Sequence, residues 1–380
     1  MNKLPIEILL HQLSFLNPKD LNIMCKSNKY IRDICKDNKT ILCKNLLINH
    51  FKVVNFVPEN WCEFLKLILI YYPKLNDFKN NYLYTSITNG HLDIFKFLFQ
   101  HHKPSSIEKL FNHSVAKGHI NIVKFIAEQG DIHAYNDLAL TISSDNGHFQ
   151  IVKFLVEQGA NIHTRNDYPL RVSSSNSYFE ITKFLIQNGA NIHVQDDYPL
   201  RINSQLGHRE IVKYLIENGA NIHAQDDYSL RISSQLGHLE IVKYLIENGA
   251  NIHARRDEAL RISSHIDIVK YLVEKGANIH AQGDYPLQIN AQNGNLDIVK
   301  FLVEKGANIH VYDDFPLRIS AKNNHLDIVK YLVEKGANIH AKNNLALKWS
   351  IKKGNVRIIK FLSKVQLQKV VTSLKKIPRV

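Results

Sequence analysis

A histidine stands at the same place in a repeated segment of the chain, which raises the question of a metal site. It follows Asn-Ile in each copy, and successive copies are 30 residues apart except for one interval of 27. The seven histidines are His163, His193, His223, His253, His280, His310 and His340. Zinc ligands lie about 2 Å from the ion, whereas packed helices are ~10 Å apart. One histidine per segment therefore cannot chelate zinc, and we predict structural or surface histidines, with a mild pH sensitivity of that surface.

Aspartate and arginine form two further columns, four residues apart in most copies. Asp suits the start of a helix, and an Asp four residues before an Arg makes a favourable helical pair. We predict that the charges of adjacent copies interleave into a structural ladder. The alternative is an arginine stripe that recognises phosphate or acidic peptides. The aspartates are Asp167, Asp197, Asp227, Asp257, Asp284 and Asp314, and the arginines are Arg171, Arg201, Arg231, Arg261 and Arg318.

The cysteines and the other residues that could act in catalysis show no pattern typical of an enzyme. The four cysteines match no zinc-ligand spacing and are interpreted as buried free thiols. No catalytic triad, paired-carboxylate site or glycine-rich phosphate loop is recognisable in the sequence. We therefore expect no catalytic residues, no metal, no cofactor and no small-molecule substrate. A lysine column with a glutamate four residues further on is interpreted as a solvated outer face rather than a partner-binding strip. Its members are Lys153, Lys213, Lys243, Lys270, Lys300 and Lys330.

The chain is long and its charge is uneven. Its 380 residues, 44% of them hydrophobic, can bury a large core but are long for one globular core, which favours a repeat array. The net charge of +13 divides into +5 for residues 1–79, −3 for 80–341 and +11 for 342–380, which argues against nucleic-acid binding by the central region. No apolar run reaches the ~18–20 residues that span a bilayer, and no signal-peptide cleavage pattern is present. We expect an intracellular protein without a transmembrane segment.

Each copy carries the pattern of two short helices. In residues 225–254 the apolar residues of the second half fall on one helical face, and Gly249 follows where a helix end favours a left-handed residue. A shorter first helix, 230–236, is separated from the second by Gly237-His238, and a short extended link leads to the next copy. Helices this short cannot bury an apolar face alone. The copies must therefore stack, and function is expected on a long surface rather than in a deep pocket.

The repeated unit resembles the ankyrin repeat, whose pattern is T-P-L-H-x-A-A, then G-H, then I-V-x-x-L-L-x-x-G-A. The matching residues of one copy are Pro199-Leu200, Gly207-His208, Ile211-Val212, Leu215-Ile216 and Gly219-Ala220. The resemblance implies an all-α solenoid of about ten helix-turn-helix units that binds other proteins. It also implies that a target binds at the family's variable surface positions on the first helices. These residues are Gln205, Leu206, Gln235, Leu236, Gln292, Asn293, Lys322 and Asn323.

Several departures distinguish these units from the usual ankyrin repeat. They have 30 residues instead of 33, and the missing three fall in the hairpin finger between units, so short fingers are expected. One unit, around 261–270, lacks three more residues and the glycine turn between its helices, which predicts a kink in the stack near His265. The 30-residue form resembles ankyrin proteins of giant DNA viruses of the mimivirus type. That resemblance implies a location in the host cytoplasm, with the nucleus as an alternative.

Residues 1–47 do not repeat and resemble the F-box, a three-helix adaptor-binding motif with the pattern L-P-x-E-I-L, F-L, D-L and K-x-x-x-x-I. The usual Trp near the end of the motif is absent. The resemblance implies binding to a Skp-type adaptor of a cullin–RING ubiquitin ligase. The alternative is an N-terminal helical cap for the solenoid. The implied adaptor-binding residues are Leu4, Pro5, Glu7, Ile8, Leu9, Leu13, Leu16, Asp20 and Leu21.

These patterns divide the chain into four parts: an F-box-like segment (1–47), a helical linker (48–79), an ankyrin array (80–364) and a basic C-terminal helix or cap (365–380). The basic end is interpreted as the polar outer face of a terminal repeat, with an acidic partner, an anionic membrane or nucleic acid as alternatives. The predicted function is that of a monomeric receptor joining a Skp-type adaptor to a host or viral target protein. The alternative is a plain ankyrin scaffold or decoy without a ubiquitin-ligase link.

Overall fold

The computed structural model describes residues 81–101 and 104–374, and all regular structure in these ranges is helical. They contain twenty helices and no strand. The F-box-like segment, 1–47, with its adaptor-binding residues, and the linker, 48–79, lie outside the described residues. Contacts between Cα atoms divide the chain into two compact units, 1–172 and 173–380.

The helices alternate along the chain between a first helix, with an odd number, and a second helix, with an even number. The unit up to residue 172 holds α1 (Asn81–Thr88), α2 (Leu92–His101), α3 (Ile107–Lys117), α4 (Ile120–Ala127), α5 (Ala134–Asp145), α6 (Phe149–Glu157) and most of α7 (Thr164–Ser175). The other unit holds α8 (Phe179–Gln187), α9 (Val194–Leu206), α10 (Arg209–Glu217), α11 (Ala224–Leu236), α12 (Leu239–Glu247), α13 (Ala254–Ile262), α14 (Ile266–Glu274), α15 (Ala281–Asn293), α16 (Leu296–Glu304), α17 (Val311–Lys322), α18 (Leu326–Glu334), α19 (Ala341–Lys353) and α20 (Val356–Leu374).

The second helices form because their apolar residues share one face and a glycine follows their last turn. In α12, Ile241, Val242 and Leu245 are buried, and Gly249 just beyond the helix has a φ of 97°. Glycine adopts this left-handed conformation without steric cost, so it ends the helix cleanly. The predicted helix and its terminal glycine are confirmed.

Stacked helix pairs share one hydrophobic core in the unit that begins at residue 173. First helices pack on first helices, as α9 on α11 and α11 on α13, and second helices pack on second helices, as α10 on α12. Fully buried leucines of the first helices form a column through this core: Leu200, Leu230, Leu260, Leu287 and Leu317. No pair could bury that surface alone, so each pair depends on its neighbours for stability.

A single left-handed turn opens each first helix from α5 onward, where the sequence suggested a short extended link. In α11 its residues Gln225, Asp226 and Asp227 have φ values of 50°, 56° and 55°. Asn, Asp and Gly tolerate this region better than other residues. One of these three types holds the third position of the turn in every copy, and the middle position in every copy except that of Arg256. The regular right-handed helix therefore starts only after this turn.

The unit with the deletion has a truncated first helix. α13 contains nine residues, against thirteen in α11, and ends at Ile262. Ser263 is extended, with φ −73° and ψ 133°, and leads directly to α14. The missing residues are the counterparts of Gln235, Leu236 and Gly237, as the sequence comparison indicated. The kink near His265 stays a prediction.

The last helix continues beyond the point where the preceding second helices end. α20 contains nineteen residues and α18 contains nine. Because α20 runs from Val356 to Leu374 without interruption, the expected boundary between 364 and 365 falls inside one helix. Up to Leu374 the basic C-terminal segment thus extends the last second helix and is not a separate helix. None of the described helices is long and apolar enough to cross a membrane.

Candidate protein-binding surface

The residue columns of the repeat are bonded within the fold, and the aspartates of one column bind the histidines of another. In α11 the carboxylate of Asp227 accepts a hydrogen bond from Nδ1 of His223 at 3.1 Å. The aspartate is almost fully buried, while the histidine side chain remains 59% exposed. The same bond joins His133 to Asp137, His163 to Asp167, His193 to Asp197, His253 to Asp257, His280 to Asp284 and His310 to Asp314. In the last copy Asn344 takes the place of the aspartate beside His340.

The same aspartate oxygen also links one unit to the next. Oδ1 of Asp227 accepts the backbone N–H of Asn251, in the following unit, at 2.7 Å. Oδ1 of Asn251 in turn accepts the backbone N–H of His253 at 2.9 Å. Equivalent links run from Asn221 to Asp197, Asn278 to Asp257, Asn308 to Asp284 and Asn338 to Asp314. The Asn-Ile-His triplet is therefore a structural joint between units.

The arginine column binds the left-handed turn and not the aspartate. In Arg231, Nε donates to the carbonyl of Asp226 at 3.0 Å and Nη2 to that of Gln225 at 2.9 Å. The predicted Asp–Arg helical pair is wrong, because the aspartate lies in the left-handed turn and is held by histidine. The other arginines bind the two corresponding carbonyls in the same way: Arg171, Arg201, Arg261 and Arg318. Because these arginines bind the carbonyls of their own turns, they fit a structural role better than a stripe that recognises phosphate or acidic peptides.

The turn between the two helices of a pair is held by a glycine and by a histidine of the next unit. Gly207 has a φ of 82°, and a Cβ at this position would lie 2.7 Å from the ring of His238. The Nε2 of that histidine lies 3.0 Å from the carbonyl oxygen of Gln205. A histidine of the next unit lies equally close to the turn glycines Gly90, Gly118, Gly237 and Gly294, so at these turns the two residues fix both the turn and the neighbouring unit.

The outer side of the second helices carries exposed ion pairs and half-buried tyrosines. Lys213 lies 3.8 Å from Glu217, and Lys243 lies 2.9 Å from Glu240. The bond from Lys243 lowers the pKa of the Glu240 carboxyl, and burial raises the pKa of the Tyr271 hydroxyl. Pairs this exposed contribute little to stability. This side fits the predicted solvated face.

The residues proposed for target binding lie at the ends of first helices, just before the inter-helix turns of α9, α11, α15 and α17. Leu206 and Leu236 are 46% and 45% exposed. Lys322 is partly buried, with Nζ 5.1 Å from the ring centre of Trp349. The others are exposed: Gln205, Gln235, Gln292, Asn293 and Asn323. We call these eight residues the variable row; α13, which lacks the corresponding residues, interrupts it.

Backbone and side-chain contacts hold parts of the variable row in place. The Tyr228 hydroxyl donates to Oε1 of Gln205 at 3.3 Å, and Nδ2 of Asn323 donates to the carbonyl of Gln292 at 2.8 Å. Two other exposed side chains, Tyr135 and Tyr312, lie at the first position of the left-handed turn and were not among the predicted binding residues. Their signal was an aromatic residue where other copies have Gln, Arg or Lys. Among the described residues, no group of three or more His, Cys, Asp or Glu side chains could hold a metal ion.

Repeated helix pairs with a shared core and an exposed row of unlike side chains define a helical repeat protein built for binding other proteins. The family model for ankyrin repeats (three copies) matches residues 108–166, 170–256, 259–313 and 312–372. These ranges cover well over half of the chain, which therefore belongs to the ankyrin-repeat family. Proteins of this kind are generally non-enzymatic scaffolds for protein–protein interaction. No curated protein matches the chain.

Proposed function

We propose that the chain is a substrate-recruiting receptor that joins a Skp-type ubiquitin-ligase adaptor to a host or viral target protein. The variable row would bind the target, and residues 1–47 would bind the adaptor. The observation that carries the proposal is the contrast within each unit. The same structural joints recur from unit to unit, while the exposed pair before each inter-helix turn changes from Gln-Leu to Gln-Asn to Lys-Asn.

The variable row supports target binding because most of its side chains are exposed and available to a partner. The neighbouring Ser204 and Ser234 are fully buried, whereas Leu206 and Leu236 leave nearly half of their side-chain surface in water. Exposed apolar side chains ringed by amides are typical of the centre of a protein interface. The outer side of the second helices offers paired charges, which contribute less to affinity.

The adaptor half of the proposal rests on the sequence motif in residues 1–47. Leu9 and Leu13 would lie on one face of the first helix of an F-box, four residues apart. The proposal thus gives a role to residues 1–47, which are mildly basic and do not repeat. As a receptor of this kind the chain would act in the host cytoplasm as a monomer.

Proximity labelling in infected or transfected cells tests the target half. We expect a set of labelled proteins that is lost in the double variant Leu206→Asp plus Leu236→Asp. The control, Lys213→Asp plus Lys243→Asp, also introduces two aspartates, but on the second helices, and should retain the labelled set. An unchanged set with the leucine variant would refute target binding by the variable row.

Co-precipitation of the full chain with a Skp-type adaptor tests the other half. Binding should be lost with Leu9→Asp plus Leu13→Asp and kept with the variable-row variant. Absence of adaptor binding by the unmodified chain, together with normal target labelling, would favour the plain scaffold or decoy.

A further inference from the structure

The last described helix pair, α19 and α20, presents an apolar face that the internal pairs cover. Ile351 is 59% exposed and Leu367 is 67% exposed. Their counterparts one unit earlier, Ala321 and Ala337, are 0% and 2% exposed. Val356, at the start of α20, is also exposed by more than half. Residues at these positions are normally hidden by the next helix pair, so this face has the shape of a repeat–repeat interface.

Size as well as exposure distinguishes the end face from an ordinary polar cap. Where the first helices from α5 to α17 have Ala or Ser at the position of Ile351, α19 has a branched aliphatic side chain. A solvent-facing terminal repeat is expected to carry polar residues there. Apolar residues grouped in this way mark a surface that is covered by a partner.

The charges around the end face are all of one sign. Lys348 and Lys352 are exposed, and residues 342–380 contain eleven Lys or Arg and no Asp or Glu. The internal counterparts of these lysines reach the next unit: Arg318 and Lys322 both lie over the ring of Trp349. By the same geometry, a helix packed on α19 would lie within reach of Lys348 and Lys352.

An internal interface shows which partner charge fits this position. Arg231, the counterpart of Lys348 in α11, pairs through Nη1 with Oε2 of Glu258 in the next first helix at 2.8 Å. A helix seated beside α19 with a carboxylate at the corresponding place would pair with Lys348 in the same way. Two copies of the end face would bring like charges together, which disfavours self-association.

We propose that the end face of α19 and α20 binds an acidic amphipathic helix of a partner protein, seated where a further repeat would pack. The apolar side of that helix covers Ile351, Val356 and Leu367. Its carboxylates pair with Lys348 and Lys352. The binding is independent of the variable row, so the chain would hold two partners at separate places on the same array.

The test measures binding of the full-length chain to a fluorescent helical peptide with Leu and Ala on one face and Glu on the other. A control peptide carries Lys in place of Glu, and vesicles of phosphatidylserine with phosphatidylcholine probe a membrane surface. End-face variants are Ile351→Ser and Lys348→Glu plus Lys352→Glu. Matched controls are Tyr135→Ser, an equally exposed large side chain outside the variable row, and Lys213→Glu plus Lys243→Glu, on the second helices.

We expect the acidic peptide to bind, each end-face variant to weaken binding at least tenfold, and the matched controls to change it less than twofold. Added salt should weaken binding of the unmodified chain. Absence of peptide binding, equal binding by end-face and control variants, or binding of vesicles alone would overturn the proposal. So would concentration-dependent self-association that the end-face variants abolish, measured by sedimentation velocity.

Discussion

Asp227 shows how one buried carboxylate can join two neighbouring units. It accepts one hydrogen bond from the His223 side chain and one from the backbone of Asn251. A hydrogen bond to a charged group such as this carboxylate contributes about 1.5–3 kcal/mol. Because the same arrangement recurs along the array, these aspartates contribute to the coupling between units as well as to each left-handed turn.

Replacing Asp227 with glycine should destabilise the joint between two units. Glycine keeps the left-handed conformation without strain, so Asp227→Gly removes the carboxylate alone, and we expect a loss of about 1–3 kcal/mol. Native-state hydrogen exchange at the Asn251 amide measures it directly. Asp226→Gly is the control, because that side chain is 66% exposed and its pair with Arg255 is worth roughly 1 kcal/mol or less. Equal protection of the Asn251 amide in both variants would contradict the joint.

A second pair of variants separates backbone strain from contact between units. Gly207 and Gly219 both have positive φ, but only at Gly207 would a Cβ meet another side chain, the ring of His238. Gly219→Ala should therefore cost about 1–2 kcal/mol from the left-handed backbone alone. Gly207→Ala should cost about 1–3 kcal/mol more, because the ring must move away from its hydrogen bond. Urea unfolding of the two variants checks the difference, and equal losses would exclude the histidine contact.

The residue columns were visible in the sequence, but their partners were not. Spacing suggested an Asp–Arg pair, which assumed that both residues lie in one right-handed helix. In the structure Asp227 lies in a left-handed turn, whose backbone Arg231 binds, so the pairing changes. The recurrent Asn, Asp or Gly in the middle of that turn was the available signal. Single left-handed residues are common at helix ends, whereas three in succession are rare, so residue propensities did not predict this turn.

At the scale of helices, periodicity sufficed because each second helix from α6 to α18 has a continuous apolar face and a terminal glycine. The end of α20 was harder to predict. The glycine that stops α18 has no counterpart at Gln366, so α20 continues and the basic segment joins it. The exposed apolar end face also escaped prediction, since exposure depends on which neighbour is present and not on the helix itself.

Restoring the three missing residues should repair the truncated first helix. Insertion of Gln-Leu-Gly between Ser264 and His265 gives α13 the sequence that ends α11, including a glycine suited to the left-handed cap. We expect α13 to lengthen to the end found in α11 and the urea midpoint to rise. An insertion of Gly-Ser-Gly adds the same length with poor helix formers and should not raise it. A lower midpoint with Gln-Leu-Gly would show that the array depends on the short form.

At the scale of the whole chain, charge and burial distinguish the proposed binding side from the side formed by the second helices. The central repeats are nearly balanced in charge, and their exposed lysines and glutamates lie along the second helices. The variable row lies at the ends of the first helices, where the fold places few demands on side-chain type. Membership of the ankyrin family, and with it a protein-binding role, could be predicted from the repeat itself. The choice of binding residues is a proposal based on their exposure and on their variation between units.

Lysine acetylation of the purified full chain, with and without the target found by proximity labelling, tests the central claim most directly. Lys322 belongs to the variable row, whereas Lys213, Lys243 and Lys300 lie on the second helices and serve as internal controls. The target should slow acetylation of Lys322 severalfold and leave the three controls unchanged. Protection of the second-helix lysines with Lys322 unaffected would place the target on the opposite side and contradict this account.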